Sequence, residues 1–190
     1  MENIESRANS IKNHFVFVFD LDNTLVMTNR ANNNAYKEAI RTIVGRSVSI
    51  GQDRFTRSNL SKELPGLTKL QFDAIVKLKE DLYVKYLQDT TLNKQLHKIL
   101  KLAKEIGCET VLLTESHKIR ARQVCDHHFL TPFFSRQYYK EDLGNGNKYQ
   151  FLKSILSPSE SVILFENEKE EIERAVRYGL TENQLITIKF

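Results

Sequence analysis

An apolar run near the start of the chain constrains the fold more than any other feature. Residues 15–19 read Phe-Val-Phe-Val-Phe, and all five side chains favour a β-strand. A strand that is apolar on both faces belongs inside a parallel sheet that helices cover on both sides. Similar strand-favouring runs occupy residues 109–113, 161–165 and 184–188, and residues 133–138 form a weaker candidate.

Helical patterns lie between these runs. Apolar residues recur along one helical face of residues 92–106, and Gly107 follows at the position where a glycine commonly ends a helix. Further helices are predicted over residues 116–129, 148–156 and 168–178. Strands that alternate with helices form right-handed βαβ units. The sequence therefore predicts an α/β fold, with a doubly wound, Rossmann-like parallel sheet and helices on both of its faces.

Residues 26–92 interrupt this alternation, because they contain no convincing buried strand. Helical patterns inside this segment cover residues 32–44, 54–64 and 68–88. We therefore predict a core domain formed by residues 1–25 and 93–190, with a small all-helical insert over residues 26–92. The insert would follow the first strand directly.

Composition excludes several classes of protein. The 190 residues are 41% hydrophobic and 27% charged, which is typical of a globular chain and not of a disordered one. Two cysteines, Cys108 and Cys125, are too few for a disulfide framework and indicate a reducing compartment. The first thirteen residues lack the apolar core of a signal peptide, and no apolar run approaches the roughly 20 residues that span a bilayer. We therefore expect a cytoplasmic protein without a membrane segment.

Polar side chains follow three of the predicted strands. Asp20 and Asp22 come after the first strand, Thr114 after the second, and Glu166 with Asn167 after the third. In parallel α/β sheets, ligands bind outside the carboxyl ends of the strands. Two carboxylates this close repel one another and need a cation or proton between them, and oxygen ligands suit Mg²⁺. Taken singly, each feature has a simpler explanation: an Asx-turn, a helix N-cap, or acidic residues that stabilise a helix dipole.

In combination, these segments resemble the haloacid dehalogenase superfamily, in its branch of phosphatases with an aspartate nucleophile. The sequence VFDLDNTL is a close match to that family's first motif, and VLLTES is similar to the second. Lys148, which opens a predicted helix, fits the third motif, and VILFENEKEEIERA resembles the fourth. The fourth motif usually carries Asp-Asp, or Gly-Asp with a later Asp. Here Glu166-Asn167 occupies the pair and Glu171 the later position.

The resemblance implies a Mg²⁺-dependent phosphatase that hydrolyses a small phosphorylated metabolite through an aspartyl-phosphate intermediate. Asp20 would be the nucleophile, and Asp22 would be the general acid and base. Thr114 and Lys148 would bind the phosphoryl group and stabilise its charge. The ligands that the resemblance implies for Mg²⁺ are Asp20, the backbone carbonyl of Asp22, and either Glu166 or Asn167.

Residues 26–92 lie where this family inserts a helical cap, so they are expected to select the substrate. They hold 11 Lys and Arg residues against 7 Asp and Glu residues, and thus carry the whole net charge of +4. Each basic side chain also fits a solvated helix face. The candidates for contact with an anionic substrate are Arg41, Arg46, Arg54, Arg57, Lys62 and Lys69.

Several alternatives stay open from the sequence. Lys118, four residues after Thr114, competes with Lys148 as the lysine of the third motif. The altered fourth motif also fits a catalytically weak binding or regulatory module, and the family includes phosphomutases. The pI near 9 permits a nucleic-acid-end phosphatase, but a net charge of only +4 does not favour nucleic acid as the partner. Asp22 argues against a dehalogenase, because family dehalogenases lack this second aspartate.

Overall fold

The described chain divides into two compact units. The core unit ends at Leu25 and resumes at Leu92, and the helical unit spans Val26–Thr91. Leu92 thus belongs to the core unit, one residue before the predicted boundary. The polar leader, residues 1–13, lies outside the described residues. The computed structural model describes residues 15–144, 146–157 and 160–189.

A parallel sheet organises the core unit. The strands in chain order are β1 (Phe15–Phe19), β2 (Val26–Met27), β3 (Thr91–Leu92), β4 (Glu109–Leu113), β5 (Arg136–Tyr138), β6 (Ser161–Glu166) and β7 (Leu185–Thr187). Five of them form one sheet in the order β5-β4-β1-β6-β7, and every described pair is parallel. Phe17 at the centre of β1 pairs with Thr110 on one side and Ile163 on the other. The predicted α/β fold is confirmed. The short strands β2 and β3, which the sequence did not predict, form a separate two-stranded sheet.

Helices alternate with the strands of the sheet as predicted. The helices are α1 (Asn29–Val44), α2 (Arg57–Glu63), α3 (Lys69–Tyr83), α4 (Lys94–Glu105), α5 (Lys118–His127), α6 (Lys148–Ile155) and α7 (Lys169–Arg177). Gly107 follows α4 with a φ of 81°, a left-handed conformation that glycine adopts without strain. The predicted strand over residues 133–138 is shorter in the structure. Its start is a 3-10 turn, Thr131–Phe133, where Pro132 fixes φ and has no N–H to donate to a sheet.

The two faces of β1 pack into different layers because side chains alternate along a strand. Val16 and Val18 belong to a buried cluster that includes Tyr149 and Leu152 of α6. Phe19 points to the opposite face, where its ring stacks on Phe165 of β6 with centroids 4.6 Å apart. The prediction from the apolar residues on both faces is confirmed, because β1 is the central strand of the sheet and other side chains pack on both of its faces.

The helical unit has a hydrophobic core of its own. Buried side chains of this core are Tyr36, Ala39, Ile40, Phe55, Leu60, Leu64 and Ile75. Asn33 on α1 holds the loop that leads to α2, since its amide donates to Asp53 O at 2.7 Å and its carbonyl accepts from Phe55 N at 2.9 Å. Among the described residues, no helix has the length and apolar character needed to cross a membrane.

The basic residues that the sequence singled out in the helical unit have different surroundings. Arg41 and Lys62 lie in the last turns of α1 and α2, where a cation complements the helix dipole. Arg54 donates to the Thr28 hydroxyl at 3.1 Å. The remaining three side chains are exposed: Arg46, Arg57 and Lys69.

Candidate active site

A tight turn at the carboxyl end of β1 presents Asp20. The Asp20 N–H donates to Phe165 O at 3.1 Å, which continues the pairing of β1 with β6. Leu21 and Leu25 are fully buried, and Leu25 N donates back to Leu21 O at 3.1 Å, so the segment folds into one compact turn. Asn23 within it has a φ of 59°, a left-handed conformation that asparagine tolerates better than most residues.

Asp20 is buried, and each of its carboxylate oxygens accepts a hydrogen bond from one side chain. Lys148 Nζ donates to Asp20 Oδ1 at 3.3 Å, and Thr24 Oγ1 donates to Asp20 Oδ2 at 3.1 Å. Burial, then the nearby carboxylate of Glu166, raises the pKa of Asp20 well above its usual range, although Lys148 opposes this. Asp22 raises the pKa of Asp20 further.

Lys148 is the buried cation of this site, with 2% of the residue exposed. It opens α6, and its Nζ lies 2.6 Å from Glu166 Oε2 and 3.6 Å from Glu171 Oε2. Burial alone would lower the pKa of Lys148, but Asp20 and Glu166 outweigh it and raise that pKa well above its usual range. One ammonium thus faces three carboxylates, and one of these, Glu171, also pairs with Arg174 Nη1 at 2.6 Å.

Protein donors occupy both oxygens of Glu166. Lys148 Nζ and the Tyr149 hydroxyl, at 3.1 Å, donate to Oε2. The backbone N–H groups of Asn167 and Glu168 donate to Oε1 at 2.9 and 3.3 Å. A carboxylate offers about four acceptor positions, so these four donors use the capacity of Glu166.

Asn167 has a different environment from its neighbour Glu166. The Thr24 hydroxyl lies 2.8 Å from Asn167 Oδ1 and 3.1 Å from Asp20 Oδ2, so one hydroxyl proton serves two acceptors. Asp20 and Asn167 are thereby linked through the hydroxyl of Thr24.

Asp22, Ser116 and Arg120 form a second polar cluster in the core unit. Ser116 Oγ donates to Asp22 Oδ2, and Arg120 Nη2 donates to the same oxygen at 3.0 Å. Arg120 Nη2 also donates to Ser116 Oγ, which closes a triangle of hydrogen bonds. Thr114 is buried beside this cluster, where its Oγ1 accepts from Ser116 N at 3.1 Å.

A family model for haloacid dehalogenase-like hydrolases matches residues 16–165. The chain belongs to this family. The match spans most of the chain and confirms both the resemblance stated from the motifs and the prediction of a hydrolase. No curated protein sequence matches the chain significantly.

Solved structures share the fold of this hydrolase. A haloacid dehalogenase-like hydrolase from Streptococcus pneumoniae is 19% identical with a TM-score of 0.72, over 94% of this chain and 86% of that one. A subfamily IA hydrolase of the superfamily from Geobacter sulfurreducens is 13% identical with a TM-score of 0.69, over 92% and 86%. A mutant of CbbY from Rhodobacter sphaeroides in complex with xylulose 1,5-bisphosphate is 15% identical with a TM-score of 0.70, over 87% and 83%. At identities this low, the TM-scores show that these proteins share a fold with this chain.

The donor set of the hydrolase suits a hard cation such as Mg²⁺. Asp20 and Asn167 each have a side-chain oxygen in contact with Thr24 Oγ1, and Mg²⁺ prefers oxygen ligands. Glu171 Oε2 is buried and accepts no hydrogen bond from the described residues, but Lys148 Nζ lies 3.6 Å from it, and Arg174 Nη1 lies 2.6 Å from the other oxygen of Glu171. Among the described residues, no group of three or more His, Cys, Asp or Glu side chains is arranged to hold a metal ion. Any cation here therefore relies on amide or backbone oxygens as well as carboxylates.

The structure separates the two lysines that the sequence left as alternatives. Lys148 contacts Asp20, whereas the Nζ of Lys118 lies over the ring of Tyr139, 5.8 Å from its centroid. The backbone N–H of Lys118 donates to Glu141 Oε2 at 3.0 Å, so this residue takes part in the start of α5.

Sequence reasoning missed two residues of the site. Ser116 lies within the VLLTES segment, but a hydroxyl before a helix has the same pattern as an N-cap. Arg120 carries no sequence signal, because basic residues near the start of a helix, here Lys118, Arg120 and Arg122, are typical of a solvated face. Only the folded arrangement brings Arg120 to Asp22, 98 residues earlier in the chain.

Proposed function

We propose that the hydrolase is a Mg²⁺-dependent phosphatase that acts on a small phosphorylated metabolite through an aspartyl-phosphate intermediate. The contact between Asp20 and Lys148 carries this proposal. A buried carboxylate at the end of a central strand, paired with a buried ammonium, suits a nucleophile that must approach an anionic phosphate.

In the first half of the reaction, a carboxylate oxygen of Asp20 attacks phosphorus in line with the leaving oxygen. The new Asp20–phosphorus bond forms as the bond to the leaving oxygen breaks, and Asp22 gives that oxygen its proton. Lys148 and the hydroxyl of Thr114 donate hydrogen bonds to the phosphoryl oxygens. The dephosphorylated alcohol then leaves the site.

In the second half, water attacks the phosphorus atom of the aspartyl-phosphate. Asp22, now ionised, takes a proton from this water, and the bond between phosphorus and Asp20 breaks. Inorganic phosphate leaves, and Asp20 returns to its carboxylate form while Asp22 is protonated again.

The residues that would hold Mg²⁺ are Asp20, the backbone carbonyl of Asp22, and Asn167. Bound there, Mg²⁺ supplies positive charge that offsets the repulsion between the anionic nucleophile and the anionic substrate. We assign this position to Asn167 and not to Glu166, because four protein donors already use the oxygens of Glu166. Glu166 instead holds Lys148 in place at 2.6 Å.

The helical unit, the predicted cap, is the part that we expect to select the substrate. It carries the net positive charge of the chain, which favours an anionic metabolite over a neutral one. The complex of CbbY with xylulose 1,5-bisphosphate shows that this fold accommodates a sugar bisphosphate in that protein. We extend the substrate class of small phosphorylated sugars to this hydrolase.

A phosphatase assay with Mg²⁺ across a panel of phosphorylated metabolites and p-nitrophenyl phosphate tests the proposal. Asp20→Asn should abolish turnover, whereas Glu170→Gln, the same chemical change on an exposed residue of α7, should leave it unchanged. Acid-quenched wild type should carry substrate phosphate that hydroxylamine releases, as an acyl phosphate does. An Asp20→Asn enzyme as active as wild type would refute the mechanism.

A second candidate function is a binding module with weak catalysis, which Asn167 favours because it replaces a carboxylate among the proposed ligands. Calorimetric titration with Mg²⁺ separates the two candidates. Binding that Asp20→Ala abolishes, together with turnover, supports the phosphatase. Mg²⁺ or phosphate binding without turnover of any substrate in the panel supports the binding module.

A further inference from the structure

The cluster around Asp22 contains a partly buried arginine, Arg120, that has no role in the proposed mechanism. Arg120 is 12% exposed at its side chain, and Asp22 is 17% exposed. Arginine side chains are seldom buried unless they are paired, and Arg120 is paired with the proposed general acid and base. Its neighbours Lys118 and Arg122 are exposed on the same helix.

Arg120 lies near the N-terminus of α5, where the helix dipole disfavours a positive charge. The first turns of α5 contain Lys118, Arg120 and Arg122 and no acidic residue, although the helix dipole disfavours cations at this end. The N-cap residue, His117, makes no side-chain capping hydrogen bond. Residues that are locally unfavourable for a helix are expected where they have a role in a functional site.

The contacts of Arg120 indicate that it orients the carboxylate of Asp22. Arg120 and Ser116 both donate to one oxygen of Asp22, Oδ2, and Arg120 also donates to Ser116. A carboxylate that accepts from two donors on one oxygen cannot turn that oxygen away without breaking both hydrogen bonds. The direction of its second oxygen, Oδ1, is thereby fixed as well.

We propose that Arg120 is the positioning residue of Asp22: with Ser116, it holds Oδ2 so that Oδ1 faces the leaving oxygen and the attacking water. This inference rests on the proposed phosphatase function. Arg120 acts through Asp22 and not on the substrate. Its loss should therefore lower the rate of proton transfer and leave substrate binding unchanged.

A double-mutant cycle of Arg120→Gln and Asp22→Asn tests this, with turnover of a sugar phosphate measured for each variant. Arg120→Gln should lower kcat by on the order of tenfold to a hundredfold with KM unchanged. Asp22→Asn should lower kcat further, by on the order of a hundredfold or more. The double variant should match Asp22→Asn within about twofold, because a positioning residue has nothing left to position.

The choice of substrate sharpens the test. Loss of Arg120 should reduce phosphoryl transfer from p-nitrophenyl phosphate much less than transfer from a sugar phosphate, because nitrophenolate leaves without a proton. Single-turnover measurement of the phosphorylation step gives this comparison directly. Arg120→Lys, which keeps one donor, should recover part of the lost rate.

Arg122→Gln is the matched control, since it removes the same charge two residues further along α5 from an exposed position. Its kcat should equal that of wild type. If Arg120→Gln does not fold, Ser116→Ala removes the second donor to Asp22 Oδ2 and should lower kcat in the same way, by a smaller factor.

The outcomes distinguish a failure of the proposed phosphatase function from a failure of the positioning role of Arg120. If Asp22→Asn is as active as wild type, the proposed function fails. If Asp22→Asn loses activity but Arg120→Gln keeps it, the positioning role alone fails. An Arg120→Gln effect that falls on KM, or that adds in full to the effect of Asp22→Asn, would place Arg120 on the substrate and overturn the inference.

Discussion

Lys148 contacts both a structural partner, Glu166, and the proposed nucleophile, Asp20. It is a buried cation whose nearest partner is Glu166, at 2.6 Å, and it also reaches the proposed nucleophile Asp20, at 3.3 Å. A buried charge is costly unless its partners are close and numerous. Glu166 and Glu171 therefore stabilise the folded chain by stabilising Lys148, and they orient its ammonium towards Asp20.

Replacing Lys148 should affect stability as well as activity. Lys148→Met leaves three buried carboxylates without their common cation, so we expect the free energy of unfolding to fall by about 3 to 5 kcal/mol in Mg²⁺-free buffer. Urea denaturation measures this. Lys153→Met, on the exposed side of the same helix, should change it by less than about 0.5 kcal/mol. Similar losses in the two variants would contradict the proposed charge balance.

Asn167 sets the charge of the proposed metal site. Asn167→Asp adds a carboxylate beside Asp20, so we expect Mg²⁺ affinity to rise on the order of tenfold, because ligand charge tunes the affinity of such sites. Asn167→Ala should weaken Mg²⁺ binding. Isothermal titration calorimetry gives both values. Unchanged affinity in Asn167→Asp would remove this residue from the ligand set.

The sequence predicted part of the site for a physical reason. Asp20, Thr114 and Glu166 lie at the ends of strongly apolar strands, and the ends of parallel strands converge at one edge of a sheet. Our proposal of Asn167 and not Glu166 as a metal ligand could not be made from the sequence, because it depends on which donors surround each side chain. Arg120 could not be predicted either, since its contact joins distant segments.

At the scale of elements, helix α4 carries a histidine, His97, whose ring nitrogen Nε2 is buried. His97 packs edge-on against Phe133, with ring centroids 5.3 Å apart. Its Nε2 is buried and has no hydrogen-bond partner among the described residues. Burial, assisted by nearby Lys101, lowers the pKa of His97 below the usual 6.5.

This shift has a definite sign for stability. The unfolded chain binds a proton at His97 more readily than the folded chain does, so the free energy of unfolding should fall as pH drops through about 6.5. Urea denaturation at pH 7.5 and 5.5 should show a smaller fall in His97→Gln than in wild type. An equal fall in both proteins would mean that His97 titrates alike in the folded and unfolded states.

Element boundaries were predicted well where periodicity was strong. The helix predicted over residues 148–156 is observed as α6, Lys148–Ile155, because Asn147 caps its start by accepting from Tyr149 N at 2.7 Å. The helix predicted over residues 68–88 is observed in two parts, α3 and a 3-10 segment over Val84–Asp89. Apolar periodicity does not distinguish these two kinds of helix at a helix end.

At the scale of the whole molecule, the chain leaves and re-enters the core unit at neighbouring points. Asn93 N donates to Leu25 O at 2.9 Å, and the Asn93 amide donates to Thr24 O at 3.3 Å. The segment between them, Val26–Thr91, is the complete helical unit. An insertion with adjacent ends can be removed without stretching the fold that carries it.

We therefore expect a variant in which a short Gly-Ser linker replaces residues 26–91 to fold. It should unfold cooperatively and keep its Mg²⁺ affinity, whereas kcat/KM for the metabolite should fall far more than kcat/KM for p-nitrophenyl phosphate. Circular dichroism, calorimetry and steady-state kinetics measure these properties. Equal losses for both substrates would contradict a role of the helical unit in substrate selection.

The central place of β1 has a consequence for synthesis of the protein. β1 is the first described strand, yet its partners β4 and β6 begin at residues 109 and 161. The helical unit, with a hydrophobic core of its own, is translated in full before either partner emerges from the ribosome. β1 therefore lacks one of its two neighbouring strands until β6, which begins at residue 161, has been synthesised. A nascent chain can complete the surroundings of Asp20 only after that point.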